Sequence, residues 1–121
     1  MSPKDTVKGI LNDLPTLLAV AVVEVDSGMP LASHTNITDF DIDTAAAYNT
    51  EVIKSKLKAV AALKLKQTVQ DVLLTLTDQL HLIKLSTDGH LFIYLAVNAK
   101  DTNLAQARQI MKAHSASLNQ A

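Results

Sequence analysis

Hydrophobic positions along this chain alternate between helical and strand spacing, and each change of period marks a boundary. Val7, Ile10, Leu11 and Leu14 recur at helical intervals behind Ser2-Pro3-Lys4-Asp5. Ser2 can cap that helix and Pro3 suits its first position, where the missing N–H costs nothing. Pro15 should end it. Leu17–Val25 is apolar at both alternating positions, as in a strand covered on two faces. Asp26-Ser27-Gly28 then reads as a turn and Met29–His34 as a more polar return strand, giving a hairpin. In Asp41–Leu65 the residues Ile42, Ala46, Val52, Ile53, Leu57, Val60 and Leu63 share one broad stripe, with Glu51, Lys54, Ser55, Lys58 and Ala62 opposite. That is an amphipathic helix of about six to seven turns. Val69–Thr77, Leu80–Ser86 and His90–Val97 follow as three strands, joined by Thr77-Asp78 and Thr87-Asp88-Gly89. Connections this short force antiparallel neighbours. Asn103 caps a last helix with Leu104, Ala107, Ile110, Met111 and His114 inward. The predicted class is α+β, order αββαβββα, with helices on both faces of a five-stranded antiparallel sheet.

Composition narrows the function. A chain of 121 residues, 48% apolar and of net charge −1, is expected to form a single domain over residues 1–121. A pI near 6.4, two Phe, two Tyr and no Trp argue against nucleic acid, which calls for a basic excess and stacking platforms. The absence of cysteine removes disulfides and thiolate chemistry and fits a reducing cytoplasm. Leu17–Val23 is far shorter than the roughly 20 residues needed to span a bilayer, so stable membrane insertion is not expected. It follows Lys4 and Lys8 as a secretory signal would. Asp13 and Pro15 interrupt the approach, however, and Glu24 ends the run without a small-x-small cleavage site.

No catalytic constellation stands out. Asp39, Asp41 and Asp43 alternate as in a calcium loop, yet Thr44 stands where that loop needs Gly and Thr50 where it needs a bidentate Glu. Acidic residues at a helix start already complement its dipole. His34, His81, His90 and His114 lack metal-ligand spacing and belong at the surface or at strand ends. Ser33 and His34 are adjacent without an orienting third group, and three glycines are too few for a phosphate-cradling loop. No cofactor, metal or catalytic residue is expected.

Two segments carry a family resemblance across nearly the whole chain. Val22-Val23-Glu24-Val25-Asp26-Ser27-Gly28-Met29-Pro30-Leu31-Ala32-Ser33 is similar to the apolar strand, Asp-x-x-Gly turn and return strand of Roadblock-type domains. Asn103-Leu104-Ala105-Gln106-Ala107-Arg108 resembles their Asn-Leu-Gly-x-Ala-Arg helix start, with Ala105 where Gly is more usual. The family comprises dynein light-chain Roadblock proteins and prokaryotic relatives that work with small Ras-like GTPases. Profilin and longin folds share parts of its architecture.

The resemblance implies a cytoplasmic homodimer in which the third strands pair and the long second helices lie side by side. On this chain the pairing strand holds Val69, Asp71, Val72, Leu73, Leu74 and Thr75, and the helix contributes Asn49, Val52, Ile53, Lys56 and Val60. Val72, Leu74 and Leu76 would line one face of that strand and Val69, Leu73 and Thr75 the other, an aggregation hazard unless its edge is covered. Asp71 and Asp78 are instead gatekeepers if the edge is free. Asn49 and Lys56 either sit at the boundary of the apolar stripe or hydrogen-bond across the dimer axis. The implied role is a non-enzymatic regulator or scaffold for a small GTPase, bound through the helix 2 face with Glu51, Lys54 and Lys58 as candidate contacts. Lys64 and Lys66 extend the basic character of that helix past its exit. The lone arginine, Arg108, is better placed for a salt bridge than for a catalytic finger. The alternative is a small-molecule sensing or general dimerisation module of PAS/GAF-like type, with Thr75, Thr77, His81 and Lys84 on its concave face.

Overall fold

The computed structural model describes residues 1–118. It contains α1 (Pro3–Asp13), β1 (Leu17–Glu24), β2 (Pro30–Thr35), α2 (Ile42–Ala62), β3 (Val72–Thr75), β4 (Gln79–Leu85), β5 (Leu91–Asn98) and α3 (Leu104–Ser117). The order of elements is the expected one. All neighbouring strands are antiparallel, in the sheet order β2-β1-β5-β4-β3.

The sheet separates two cores. Leu91, Ile93, Leu95 and Val97 of β5 face α1 and α3 together with Val20, Val22, Leu82, Ile10, Ala107 and Met111. Phe92, Tyr94 and Ala96 face α2, against Ala19, Ala21, Val23, Ala46 and Ile53. Leu17 belongs to the first core although its parity matches Ala19. Leu17 pairs with Val97 and Ala19 with Ala96, so Leu18 is an extra residue, and this bulge reverses the alternation.

Helix starts follow local chemistry. The side chains of Ser2, Asp41 and Asn103 accept hydrogen bonds from the amides of Asp5, Thr44 and Gln106. The end of α2 differs from expectation: it stops at Ala62, not Leu65. Lys64 takes a left-handed conformation (φ 55°), its amide bonds to the Ala61 carbonyl, and the Leu65 amide bonds to the Val60 carbonyl. This is a Schellman cap with lysine where glycine is the usual residue.

Two further expectations are corrected. The inward stripe of α2 is Ile42, Ala46, Thr50 and Ile53, whereas Val52, Leu57 and Leu63 are 38%, 38% and 69% exposed. Thr50 is tolerated inside because its hydroxyl donates to the Ala46 carbonyl at 2.7 Å. β3 has four residues, not nine. Val69 precedes it in the α2–β3 linker and packs toward the α2-side core, not toward the face that holds Leu73.

α1 and α3 are keyed by a glycine. A Cβ on Gly9 would clash with Cε1 of His114, whose Nε2 donates to Asp13 at 2.9 Å. Gly9→Ala gains about 1 kcal/mol of helix propensity, but it forces the ring away from Asp13, and overpacking costs about 1–3 kcal/mol. A net loss is expected in urea unfolding, restored in the Gly9→Ala/His114→Ala double variant. Lys64→Gly should raise stability by about 1 kcal/mol by relieving the left-handed residue, read as a higher urea midpoint at unchanged slope.

Candidate interaction surface

α2 is anchored only by its first three turns. Beyond Ile53 no side chain of the helix is buried, so its second half stands proud of the sheet. The flank turned toward β3 carries Lys56, Ala59, Val60 and Leu63, which with Val69, Asp71, Val72 and Leu73 line a largely apolar groove of about 360 Å³. Val52 lies on the same flank, two turns before Ala59. Beside the groove, and among the described residues, β3 pairs only with β4, which leaves its other edge unpaired there. Leu74 and Leu76, at and just past its end, are 52% and 42% exposed. An apolar helix flank and an open strand edge therefore adjoin.

The residues expected at this interface fall in different places. Val52, Lys56, Val60, Val72, Leu73 and Val69 belong to this region. Leu74 points to the α2 side as the cross-strand partner of His81, and Thr75 to the opposite face beside Leu80. Ile53 is fully buried against the sheet of its own chain, so it is not part of any open face. Asn49 donates to the Ala45 carbonyl at 2.8 Å, a bond within its own helix. Asp71 accepts a two-pronged ion pair from Arg108 of α3 at 3.0 and 3.2 Å. Lys54 reaches back 3.5 Å to the Asp26 carbonyl in the β1–β2 turn, while Glu51 and Lys58 are exposed on the outer face of α2. Sequence reasoning missed Ala59, whose small side chain opens the groove, and placed Leu63 inward.

The polar residues offered for a concave ligand site do not converge. Lys84 lies three residues from His81 on β4 and so faces the other side of the sheet, its Nζ donating to the Gln70 carbonyl at 2.7 Å. Thr75 and Thr77 are exposed. His81 was expected at the surface or a strand end, but it is half-buried in an aromatic cluster. Its ring stands edge-on to Tyr94 at 5.5 Å and to Phe40 at 6.5 Å. The Tyr94 hydroxyl lies 3.1 Å from His81 Nδ1, and Nε2 lies 2.8 Å from Gln79 Oε1. The amide oxygen can only accept, so Nε2 carries the proton and Tyr94 donates to Nδ1. Burial lowers the His81 pKa and pushes Tyr94 up to about 12. Asp41 is occupied as the α2 cap, bonded to the Thr44 amide and, at 2.6 Å, to its hydroxyl. These bonds lower its pKa, the hydroxyl contributing most.

The architecture is the Roadblock/LC7 fold. Scanned against protein-family models the chain matches none, and no curated protein sequence matches it. Among solved structures it is similar to a Roadblock/LC7 domain from Streptomyces avermitilis, with TM-score 0.82 and 15% identity over 97% of this chain and 94% of that one. It is also similar to MglB of Myxococcus xanthus (TM-score 0.75, 11% identity, 93% and 85% covered). The gliding protein MglB of Thermus thermophilus aligns with TM-score 0.76 and 14% identity over 93% and 82%.

Because the folded pKa of His81 lies below its ordinary 6.5, the unfolded chain takes up the proton first as pH falls. The contribution of His81 to stability is complete above its unfolded pKa and is lost as pH falls through the folded value. Melting curves between about pH 7 and pH 5 should show a decline that is shallower in His81→Gln. Equal slopes would remove His81 as its source.

Proposed function

We propose that this protein is a non-enzymatic regulator or scaffold for a small Ras-like GTPase, acting as a homodimer. The observation that carries the reading is the apolar α2 flank beside the open β3 edge, two unsatisfied features that one operation can cover. A two-fold axis at β3 would pair each edge with its copy and set Val52, Ala59 and Leu63 of one α2 against those of the other. The similarity to MglB structures and the Roadblock-like hairpin support the family reading from which this arrangement is drawn.

The GTPase is assigned to the outer face of the paired helices, where Glu51 and Lys58 are exposed. Lys54, held near the β1–β2 turn, borders that face. Arg108 is already engaged by Asp71, so it is not offered as an arginine finger. An effect on hydrolysis would instead pass through the GTPase's own switch segments. Among the described residues no helix is long and apolar enough to cross a membrane, and we place the protein in the cytoplasm.

Ala59→Glu with Leu63→Glu should weaken self-association by more than about tenfold, since a charge would be buried at the contact. Sedimentation velocity reads this directly, and an unaltered dimer removes the α2–β3 interface. Retention of a small GTPase from native extract with a non-hydrolysable GTP analogue but not with GDP, weakened by Lys54→Glu/Lys58→Glu, supports the partner. Retention of no GTPase in either nucleotide state removes it.

A further inference from the structure

The near-zero net charge conceals a division of charge. Residues 1–53 hold two lysines against eight carboxylates, while residues 54–121 hold nine cations against four carboxylates. The fold gathers part of that excess at one end of the molecule. Lys84, Arg108 and Lys112 line a cleft of about 240 Å³ with Gln70, Asp71 and Gln109. A second cleft, of about 560 Å³, shares Lys84, Lys112 and Gln70 and runs past the linker to Leu57 and Val60 of α2. Lys64 and Lys66 project from the same linker, both exposed. Of the carboxylates there, Asp71 is paired with Arg108, and Asp88 accepts from the Ser86 hydroxyl and the His90 amide. An apolar side chain is interspersed: Leu65, 49% exposed, lies between Lys64 and Lys66.

We infer that this end of the molecule, centred on Lys64, Leu65, Lys66, Lys84 and Lys112, docks on an anionic lipid surface. Charge complementarity gives the sign of the partner, and the kind of residue gives its class. Protein interfaces favour arginine and aromatic side chains and are depleted in lysine. Here the one arginine is engaged within the chain and no aromatic residue lines either cleft. A nucleic-acid backbone would accept the lysines but offers nothing to the exposed Leu65. A bilayer surface takes both: lysines attracted by acidic headgroups, Leu65 entering the headgroup boundary. Lys64 adds a further point, since its left-handed backbone suits glycine, yet the position carries an exposed ammonium. Leu65, Lys64, Lys66, Lys84 and Lys112 lie outside the residues lining the α2–β3 groove, so this inference stands apart from the proposed self-association.

The test is co-sedimentation of the full chain with phosphatidylcholine vesicles, with and without about one-third phosphatidylserine, at about 0.05 M and about 0.5 M salt. Binding is expected only to the anionic vesicles and only at low salt. Lys64→Gln/Lys66→Gln should lower partitioning by more than about tenfold, each lysine near an anionic surface contributing about fivefold. Leu65→Ser, with charge unchanged, should lower it by about fivefold while leaving the weaker binding to duplex DNA unaltered. Circular dichroism and melting should match the parent chain in each variant. No binding to anionic vesicles at low salt overturns the inference. So does vesicle binding that is indifferent to Leu65→Ser and no tighter than binding to duplex DNA, which would mark a generic polyanion face.

Discussion

The structure depends on burying one strand completely on both sides. Every residue from Leu91 to Val97 has no exposed surface, so β5 needs a packing layer on each face and a hydrogen-bonded strand along each edge. β1 and β4 supply the edges, α1 with α3 one layer, and α2 the other. Burying a large aliphatic side chain contributes about 1.5–3 kcal/mol, so losing either layer would expose several such groups at once. The unequal side chains of β5 and β1 then set the two layers apart. Branched residues build the deep core under α1 and α3, whereas Ala19, Ala21, Ala96 and Ala46 let α2 lie close, with Phe92 and Tyr94 filling the remainder.

From that arrangement follows the exposure of the rest. α2 runs for 21 residues, and only Ile42, Ala46, Thr50 and Ile53 of it are buried, with Ala45 packed partly against the core. β3 lies farthest from α2's anchored turns, at the sheet edge, and it is short because its lead-in is held from elsewhere. Arg108 grips Asp71 and Lys84 grips the Gln70 carbonyl, so the linker approaches along the side of α3 before pairing with β4 begins.

Much of the fold was legible because it is written in local chemistry. Ser2, Asn103, Pro3 and the Asp-x-Gly and Asp-Gly turns act on their immediate neighbours, and the continuous apolar run of β1 signals burial on two faces. What escaped depended on distant partners. Val69 and Gln70 look like strand residues, but the Gln70 carbonyl is held by Lys84, 14 positions on, and the next side chain, Asp71, by Arg108, 37 positions on. The inward and lateral stripes of α2 were merged because Val52 and Ile53, both apolar, lie only about 100° apart around the helix, and one is exposed while the other is not. The left-handed Lys64 gave no signal, since lysine is a good helix former. His81 read as an isolated polar residue because Tyr94 and Phe40, its partners, stand far away in the chain.

The free-standing half of α2 has a thermodynamic consequence. A helical segment of two to three turns with no buried side chain has little to resist fraying in water. The residues from Lys54 to Ala62 therefore draw much of their order from whatever covers them. Their hydrogen-exchange protection becomes a property of the solution, rising with the concentration of the covering surface while that of β5 stays constant. Under the proposed self-association, one helix would report two equilibria, unfolding at its first turns and association at its last.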